Sequence, residues 1–297
     1  MYEKFFGFRE RPFTLRPDPS FLYLGREHSI AYAMLEYGLL NEAGIIVISG
    51  EIGSGKTTLV RHLLNQLDAS NHIGLFSNTH LAFGELIQWV SDAFNLPFEG
   101  MEKVALYRQF IDFMIREYAN GKRVILIIDE AQNMDATALE ELRVISNINA
   151  DKDLVLQLVL VGQPELRDTL RKPKLEQFAQ RISVDYHLNA LDEQETIEYI
   201  THRLVTAGGD KSVISFEAME LFHELSVGVP RIINSLCDTA LVYAFADGKR
   251  TVTSGLVHQI VAEKKASGLF GAGKIYYSQD GKDPSRRSTP IALKSKF

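Results

Sequence analysis

The sequence of 297 residues is poor in the features that mark secreted or membrane-spanning proteins. It contains a single cysteine, Cys237, which excludes an internal disulfide and indicates a reducing compartment. No apolar run reaches the roughly 18 residues of a membrane-spanning helix. The N-terminus is too charged to resemble a signal peptide. We therefore expect a cytoplasmic protein whose cysteine is a buried, inert thiol.

The sequence also lacks an excess of positive charge. Its net charge is −6, which does not favour a general polyanion binder. A hydrophobic content of 45% is ordinary for a soluble globular protein. Residues 266–297 differ, because they hold six basic and two acidic residues among many glycines and serines. We expect this basic tail to be disordered or ordered by a partner.

Short apolar runs alternate with amphipathic helical patterns through the first two thirds of the chain. The runs, each typical of a strand buried on both faces, are 45–49, 73–77, 124–128, 156–162 and 182–188. The helical patterns include 28–40, 56–67, 83–94, 103–119 and 135–148. This alternation predicts an α/β fold with a parallel sheet and helices on both faces.

The pattern changes near Asn189 and divides the chain into four parts. Residues 1–27 are aromatic and punctuated by proline, and we expect them to pack on the α/β core that follows. Residues 28–189 form the predicted α/β domain, and 190–265 a small all-α domain without strands. Residues 266–297 are the basic tail.

A glycine-rich stretch follows the first predicted strand. The spacing Gly50-x-x-x-x-Gly55-Lys56-Thr57 fits a phosphate-binding P-loop between a strand and a helix. Its backbone N–H groups would cradle phosphates, Lys56 would reach the β- and γ-phosphates, and Thr57 would bind Mg²⁺. The predicted nucleotide-binding residues are Gly50, Glu51, Ile52, Gly53, Ser54, Gly55, Lys56, Thr57 and Thr58.

Two further strands end in polar residues at the edge of the sheet where ligands bind. Asp129 is placed to hold Mg²⁺, and Glu130 to act as the general base that polarises an attacking water. The amide of Gln163 is placed to touch the γ-phosphate or that water. These positions predict hydrolysis of a nucleoside triphosphate, with ATP and Mg²⁺ as ligands.

Two arginines are candidates for completing the site. Arg181 closes a helix before the last predicted strand, where in a ring ATPase it would point into the neighbouring subunit's nucleotide. Arg231 starts a helix after Gly228 and Pro230, from which it could contact the phosphates of its own subunit.

Taken together, these motifs resemble those of the AAA+ ATPases. The opening "MYEKFFGFRERPFTLRPDPSFLYL" with "GEIGSGKTTL", "IIDEAQ" and "LVGQPEL" resembles more narrowly the ExeA/GspA-like family, ATPases of general secretion, pilus and exopolysaccharide loci. The resemblance covers about residues 1–265. It implies a five-stranded sheet of order 5-1-4-3-2, a helical lid, nucleotide-dependent assembly into a homo-oligomeric ring or filament, and Leu24, Gly25 and His28 near the adenine. Type II secretion members carry a transmembrane helix and a peptidoglycan-binding domain after the ATPase, which this sequence does not show.

Three functions remain open from the sequence. The first is an oligomeric ATP-hydrolysing motor or switch in protein secretion, pilus or exopolysaccharide assembly, recruited to the inner membrane or to an envelope-assembly protein. The second is a DNA-loaded regulator of the transposition type. The third is a nucleotide-gated scaffold with little turnover.

Overall fold

The structure, a computed structural model, describes residues 1–16, 18–67, 70–77, 85–150 and 153–266. The seven strands of the described residues lie between Ile45 and Leu188. They are β1 (Ile45–Gly50), β2 (Asn71–Phe76), β3 (Arg123–Ile128), β4 (Asn149–Ala150), β5 (Asp153–Leu154), β6 (Leu156–Gly162) and β7 (Ile182–Leu188). The basic tail from residue 267 onward lies outside the described residues.

Five of these strands form a parallel sheet of order β2-β3-β6-β1-β7. Counted along the sheet from its other edge, this is the predicted order 5-1-4-3-2, which is confirmed. The short antiparallel pair β4–β5 was not predicted and lies just before β6.

Helices precede, separate and follow the strands. They are α1 (Glu3–Phe6), α2 (Arg26–Leu40), α3 (Lys56–Leu64), α4 (Leu86–Ala93), α5 (Lys103–Ala119), α6 (Ala136–Ile145), α7 (Pro164–Leu170), α8 (Glu176–Ala179), α9 (Glu193–Thr206), α10 (Phe216–Ser226), α11 (Pro230–Ala246) and α12 (Ser254–Ala266). The predicted helices 56–67 and 135–148 extend about three residues beyond the ends of α3 and α6, because the chain leaves the helix there in irregular turns. Among the helices of the described ranges, none combines the length and apolarity needed to cross a membrane.

The strands are apolar throughout because both faces of the sheet are buried. Ile45 and Val47 point to a cluster that includes residues of α4 to α8, whereas Ile46 and Ile48 point to one formed with α2 and α3. Alternation of side chains along a strand places consecutive residues on opposite faces. Helices therefore cover both faces, as predicted.

The N-terminal aromatic residues pack elsewhere than predicted. Phe6, Phe8, Phe13 and Phe21 belong to the hydrophobic cluster of α9 to α12, not to either cluster of the sheet. These rings therefore pack on the helical region, whereas packing on the α/β core was expected; Pro19–Phe21 of the same segment also contacts α3. The physical reason is that both sheet faces are already covered, so the exposed apolar faces of the C-terminal helices offer the burial that these rings require.

Candidate functional site

The glycine-rich loop lies at the carboxyl end of β1 and leads directly into α3. Gly53 and Gly55 have φ of 82° and 101°, a region that side chains with a Cβ rarely adopt. The Lys56 Nζ donates hydrogen bonds to the carbonyls of Gly50 at 2.7 Å and Glu51 at 2.8 Å. Burial lowers the pKa of Lys56, while Glu130 and Asp129 oppose that shift. The loop thus holds its own lysine at the place where phosphate oxygens would compete for it.

Thr57 and Asp129 meet at the same edge of the sheet. The Thr57 Oγ1 donates to Asp129 Oδ2 at 2.7 Å, and the Asp129 side chain is buried. A hydroxyl and a carboxylate are hard oxygen ligands of the kind that Mg²⁺ uses together with waters and substrate phosphates. The donor set therefore fits Mg²⁺.

Glu130 adopts an unusual backbone conformation directly after β3. Its φ of 56° is left-handed, which is uncommon for a residue with a side chain. The Glu130 Oε2 accepts hydrogen bonds from Gln132 Nε2 at 2.6 Å and from Gln163 Nε2 at 3.2 Å. Strained backbone of this kind concentrates at functional sites. The carboxylate is thereby held by two side-chain amides.

A cavity of about 390 Å³ adjoins these groups. One side, which we call the phosphate wall, is formed by Gly53, Lys56, Thr57, Glu130 and Gln163. A second side, which we call the helical wall, is formed by Phe21, Tyr23, Tyr199, Arg203 and Asn234. The first set lies in α3 and in the segments that follow β1, β3 and β6, and the second lies in the N-terminal segment, α9 and α11.

The helical wall contains a buried polar network centred on Arg203. The Arg203 Nε donates to the Pro12 carbonyl at 2.5 Å, and its Nη1 donates to Tyr199 Oη at 3.0 Å. The guanidinium carbon lies 4.8 Å from the centre of the Phe21 ring, within the range of a cation–π contact. Tyr199 in turn donates to Asn234 Oδ1 at 2.8 Å. These contacts join the N-terminal segment to α9 and α11.

Of the three residues expected near the adenine, only His28 reaches the cavity. Its Nε2 donates to the Ser54 carbonyl at 2.9 Å, and burial lowers its pKa, so the neutral ring supports the loop. Leu24 is 42% exposed and does not line the cavity. Gly25 lies beside Glu195 of α9, whose carboxylate accepts the Arg26 N–H at 2.8 Å.

The two candidate arginines lie near opposite ends of the strands: Arg231 of α11 at the carboxyl end and Arg181 at the amino end. Arg231 lines the cavity, and its backbone N–H donates to the Gly53 carbonyl at 3.2 Å. A Cβ on Gly53 would lie 2.5 Å from that of Arg231, so this contact requires glycine.

Arg181, in contrast, is exposed and precedes β7 at its amino end. The pairings Ile45–Ile182 and Gly50–Leu188 place it about 20 Å from the phosphate loop, at about 3.3 Å per strand residue. Arg181 is thus too distant for a direct contact within its own site.

Comparison with known proteins agrees with this geometry. Residues 40–170 match the model of an AAA domain. The chain is 39% identical over 274 residues to general secretion pathway protein A of Aeromonas hydrophila, an alignment that covers 92% of this chain and 50% of that protein.

The chain thus carries an AAA domain and is similar, over most of its length, to general secretion pathway protein A. It spans about half the length of that relative. Among solved structures, the AAA+ chain is similar to the ORC2 protein of Aeropyrum pernix in ADPNP–ADP complexes, with a TM-score of 0.65, 20% identity and coverage of 86% of this chain and 72% of that one. It is also similar to Cdc6p of Pyrobaculum aerophilum, with a TM-score of 0.62, 14% identity and coverage of 79% and 68%. At such identities the similarity concerns the fold alone.

Sequence reasoning missed two parts of this AAA+ site. Gln132 follows Glu130 by two residues in "DEAQ". Its closeness to Glu130 could therefore be inferred from the sequence, whereas its hydrogen bonds could not. Tyr199 and Arg203 are one helical turn apart on α9, a spacing that indicates a shared face but not what that face meets. The partners of Arg203, Pro12 and Phe21, are about 180 to 190 residues away in sequence.

Proposed function

We propose that this AAA+ protein binds ATP with Mg²⁺ and hydrolyses it to ADP and phosphate. The observation that carries the proposal is the arrangement of Lys56, the Thr57–Asp129 pair and the amide-held Glu130 around one cavity. A nucleotide-gated scaffold would need the P-loop but not an oriented carboxylate beside it.

The residues have separate roles in this reaction. Backbone N–H groups of the loop bind the phosphates, and Lys56 exchanges its carbonyl partners for phosphate oxygens. Thr57 and Asp129 would hold Mg²⁺, which would neutralise charge on the phosphates when bound. Glu130 accepts the proton of the attacking water as general base, and Gln163 helps to orient that water.

The helical wall is proposed to hold the base and the ribose. A triphosphate bound to the loop leaves its nucleoside in the rest of the cavity, where Phe21 and Tyr23 supply aromatic surface. Because this wall contains the N-terminal segment as well as α9 and α11, nucleotide binding should couple these elements to the sheet. Arg231, which touches the loop, is proposed to report nucleotide state within its own subunit.

Turnover is proposed to require a homo-oligomer. The support is the position of Arg181, which is exposed and about 20 Å along the sheet from its own loop. An arginine placed there can complete a neighbour's site, where such a finger is worth about 10³–10⁵ in rate. Ring and filament arrangements both satisfy this requirement.

The cellular role is proposed to be energising protein secretion or a related envelope-assembly process from the cytoplasmic side. The support is the 39% identity to general secretion pathway protein A. A partner at the inner membrane or in the envelope-assembly machinery would then recruit the protein.

Steady-state phosphate release tests the enzymatic part of the proposal. Wild-type protein should release phosphate from ATP only with Mg²⁺, and chelation of the metal should stop the reaction. Metal-independent release, or none at any protein concentration that supports assembly, would contradict it.

A further inference from the structure

Gln132 uses both ends of its side-chain amide within the site. Its Nε2 donates to Glu130 Oε2 at 2.6 Å, and its Oε1 accepts the backbone N–H of Gln163 at 2.9 Å. One half-buried side chain therefore links the proposed base, after β3, to the end of β6. Gln163 completes a ring of hydrogen bonds among the three residues, because its own Nε2 donates to Glu130 Oε2.

The surrounding backbone is shaped to permit this link. Gln132 lies in a short 3₁₀ helix, Ala131–Asn133, that begins after the left-handed Glu130. Across the gap, Gly162 ends β6, and a Cβ there would lie 3.0 Å from Gln132 Oε1 and 3.2 Å from its backbone N. A larger residue would crowd the amide, so glycine gives Gln132 access to the Gln163 N–H.

We propose that Gln132 is the positioning residue of the hydrolytic base: it fixes the Glu130 carboxylate and ties it to the Gln163 segment. This proposal deepens the proposed hydrolysis and rests on it. A side-chain amide suits the role because it presents a donor and an acceptor together, whereas glutamate can only accept and methionine does neither well.

The consequence concerns rate more than nucleotide binding. Gln132 is not among the residues that line the cavity, so its contacts act through Glu130 and Gln163. A base displaced by about 1 Å can lose about 100-fold in rate because the reacting geometry is no longer held. Loss of the Gln132 amide should therefore reduce kcat and leave the KM for ATP almost unchanged.

Two substitutions test the role in the full-length protein. Gln132→Met removes both hydrogen bonds at similar length, and Gln132→Glu retains the acceptor for Gln163 while losing the donor to Glu130. Each should lower kcat about 10- to 100-fold with KM changed less than about threefold, in line with a misplaced catalytic group. Retention of ADP–aluminium fluoride, a transition-state mimic, should weaken in both while ATP binding persists.

The controls separate this role from general damage. Gln259→Glu makes the same charge change on the exposed face of α12 and should behave as wild type. Thermal unfolding checks the fold, and the nearly isosteric Gln132→Glu carries the test if the methionine variant is unstable. Glu130→Gln serves as the reference for the base itself.

The outcomes are distinct. Wild-type kcat and analogue retention in both Gln132 variants, with Glu130→Gln inactive, would overturn the positioning role and leave the proposed function standing. An active Glu130→Gln protein would overturn the proposed base, and the role of Gln132 with it. A parallel rise in KM without a fall in kcat would make Gln132 a binding residue and contradict the proposal.

Discussion

The two walls of the cavity are built in different ways. The phosphate wall uses residues that follow three strands of one sheet, each within a short contiguous motif. The helical wall joins residues that are distant in sequence, as in the hydrogen bond from Arg203 to the Pro12 carbonyl. Local motifs specify the first wall, whereas only tertiary packing creates the second.

The walls also differ in chemistry. The phosphate wall presents Lys56, the hydroxyl of Thr57 and the carboxylate of Glu130, which can act on charge that develops during hydrolysis. The helical wall presents aromatic rings and a guanidinium that is already engaged by Pro12 and Tyr199. Substitutions in the first wall should therefore change turnover or triphosphate binding, and those in the second should change affinity with little effect on the chemical step.

The largest effect is expected at Lys56. Lys56→Ala removes the cation that the loop holds against its own carbonyls, and ATP binding should fall below detection in equilibrium titration. Lys249→Ala, which loses only an exposed pair with Asp247, is the matched control. Normal ATP affinity in Lys56→Ala would show that the phosphate wall does not bind the triphosphate.

The next largest effect on turnover is expected at Arg181, which is proposed to act in the site of a neighbouring subunit. Arg181→Ala should leave ATP affinity unchanged and reduce turnover of the assembled protein by about 10³-fold, since such fingers act on transition-state charge. Adding Lys56→Ala subunits, which retain Arg181, should restore hydrolysis at mixed interfaces. Co-assembly without rescue would exclude action in trans and make Arg167 or Arg171 the next candidates.

A moderate effect is expected at Arg203. Lysine keeps the charge but lacks the planar fork that contacts Pro12 and Tyr199 together. Arg203→Lys should weaken ATP binding about tenfold, or about 1.4 kcal/mol, with kcat at saturating ATP within about twofold of wild type. Arg108→Lys, on the exposed face of α5, is the control. A loss of kcat equal to the loss of affinity would remove the distinction between the walls.

The smallest effect on either wall is expected from the basic tail. Deletion of 266–297 should change neither the melting temperature nor ATP affinity. It should reduce binding to anionic liposomes, because basic residues near such a surface contribute about 1 kcal/mol each. Unchanged co-sedimentation with liposomes, DNA and a candidate partner would leave the tail without a recruiting role.

The difference between the walls also explains which features of the fold and site could be predicted from the sequence. The apolar runs predicted the strands, and the P-loop with Asp129 predicted the position of the phosphate wall, because these sequence signals are periodic or contiguous. The aromatic rings of the N-terminal segment pack on the helical region and not on the α/β core as expected, because hydrophobicity predicts that a side chain is buried but not which surface buries it. The contact of Arg231 with Gly53 depends on how the helical region meets the loop, which no local pattern encodes.

In the proposed reaction, the phosphate wall holds ATP and Glu130 within it acts as the general base. The most direct measurement follows bound ATP and released phosphate in the same sample of Glu130→Gln protein with Mg²⁺. We predict ATP affinity close to wild type and phosphate release lowered by about 10²–10⁴, the usual contribution of a general base. Release at the wild-type rate, or loss of ATP binding, would contradict the account.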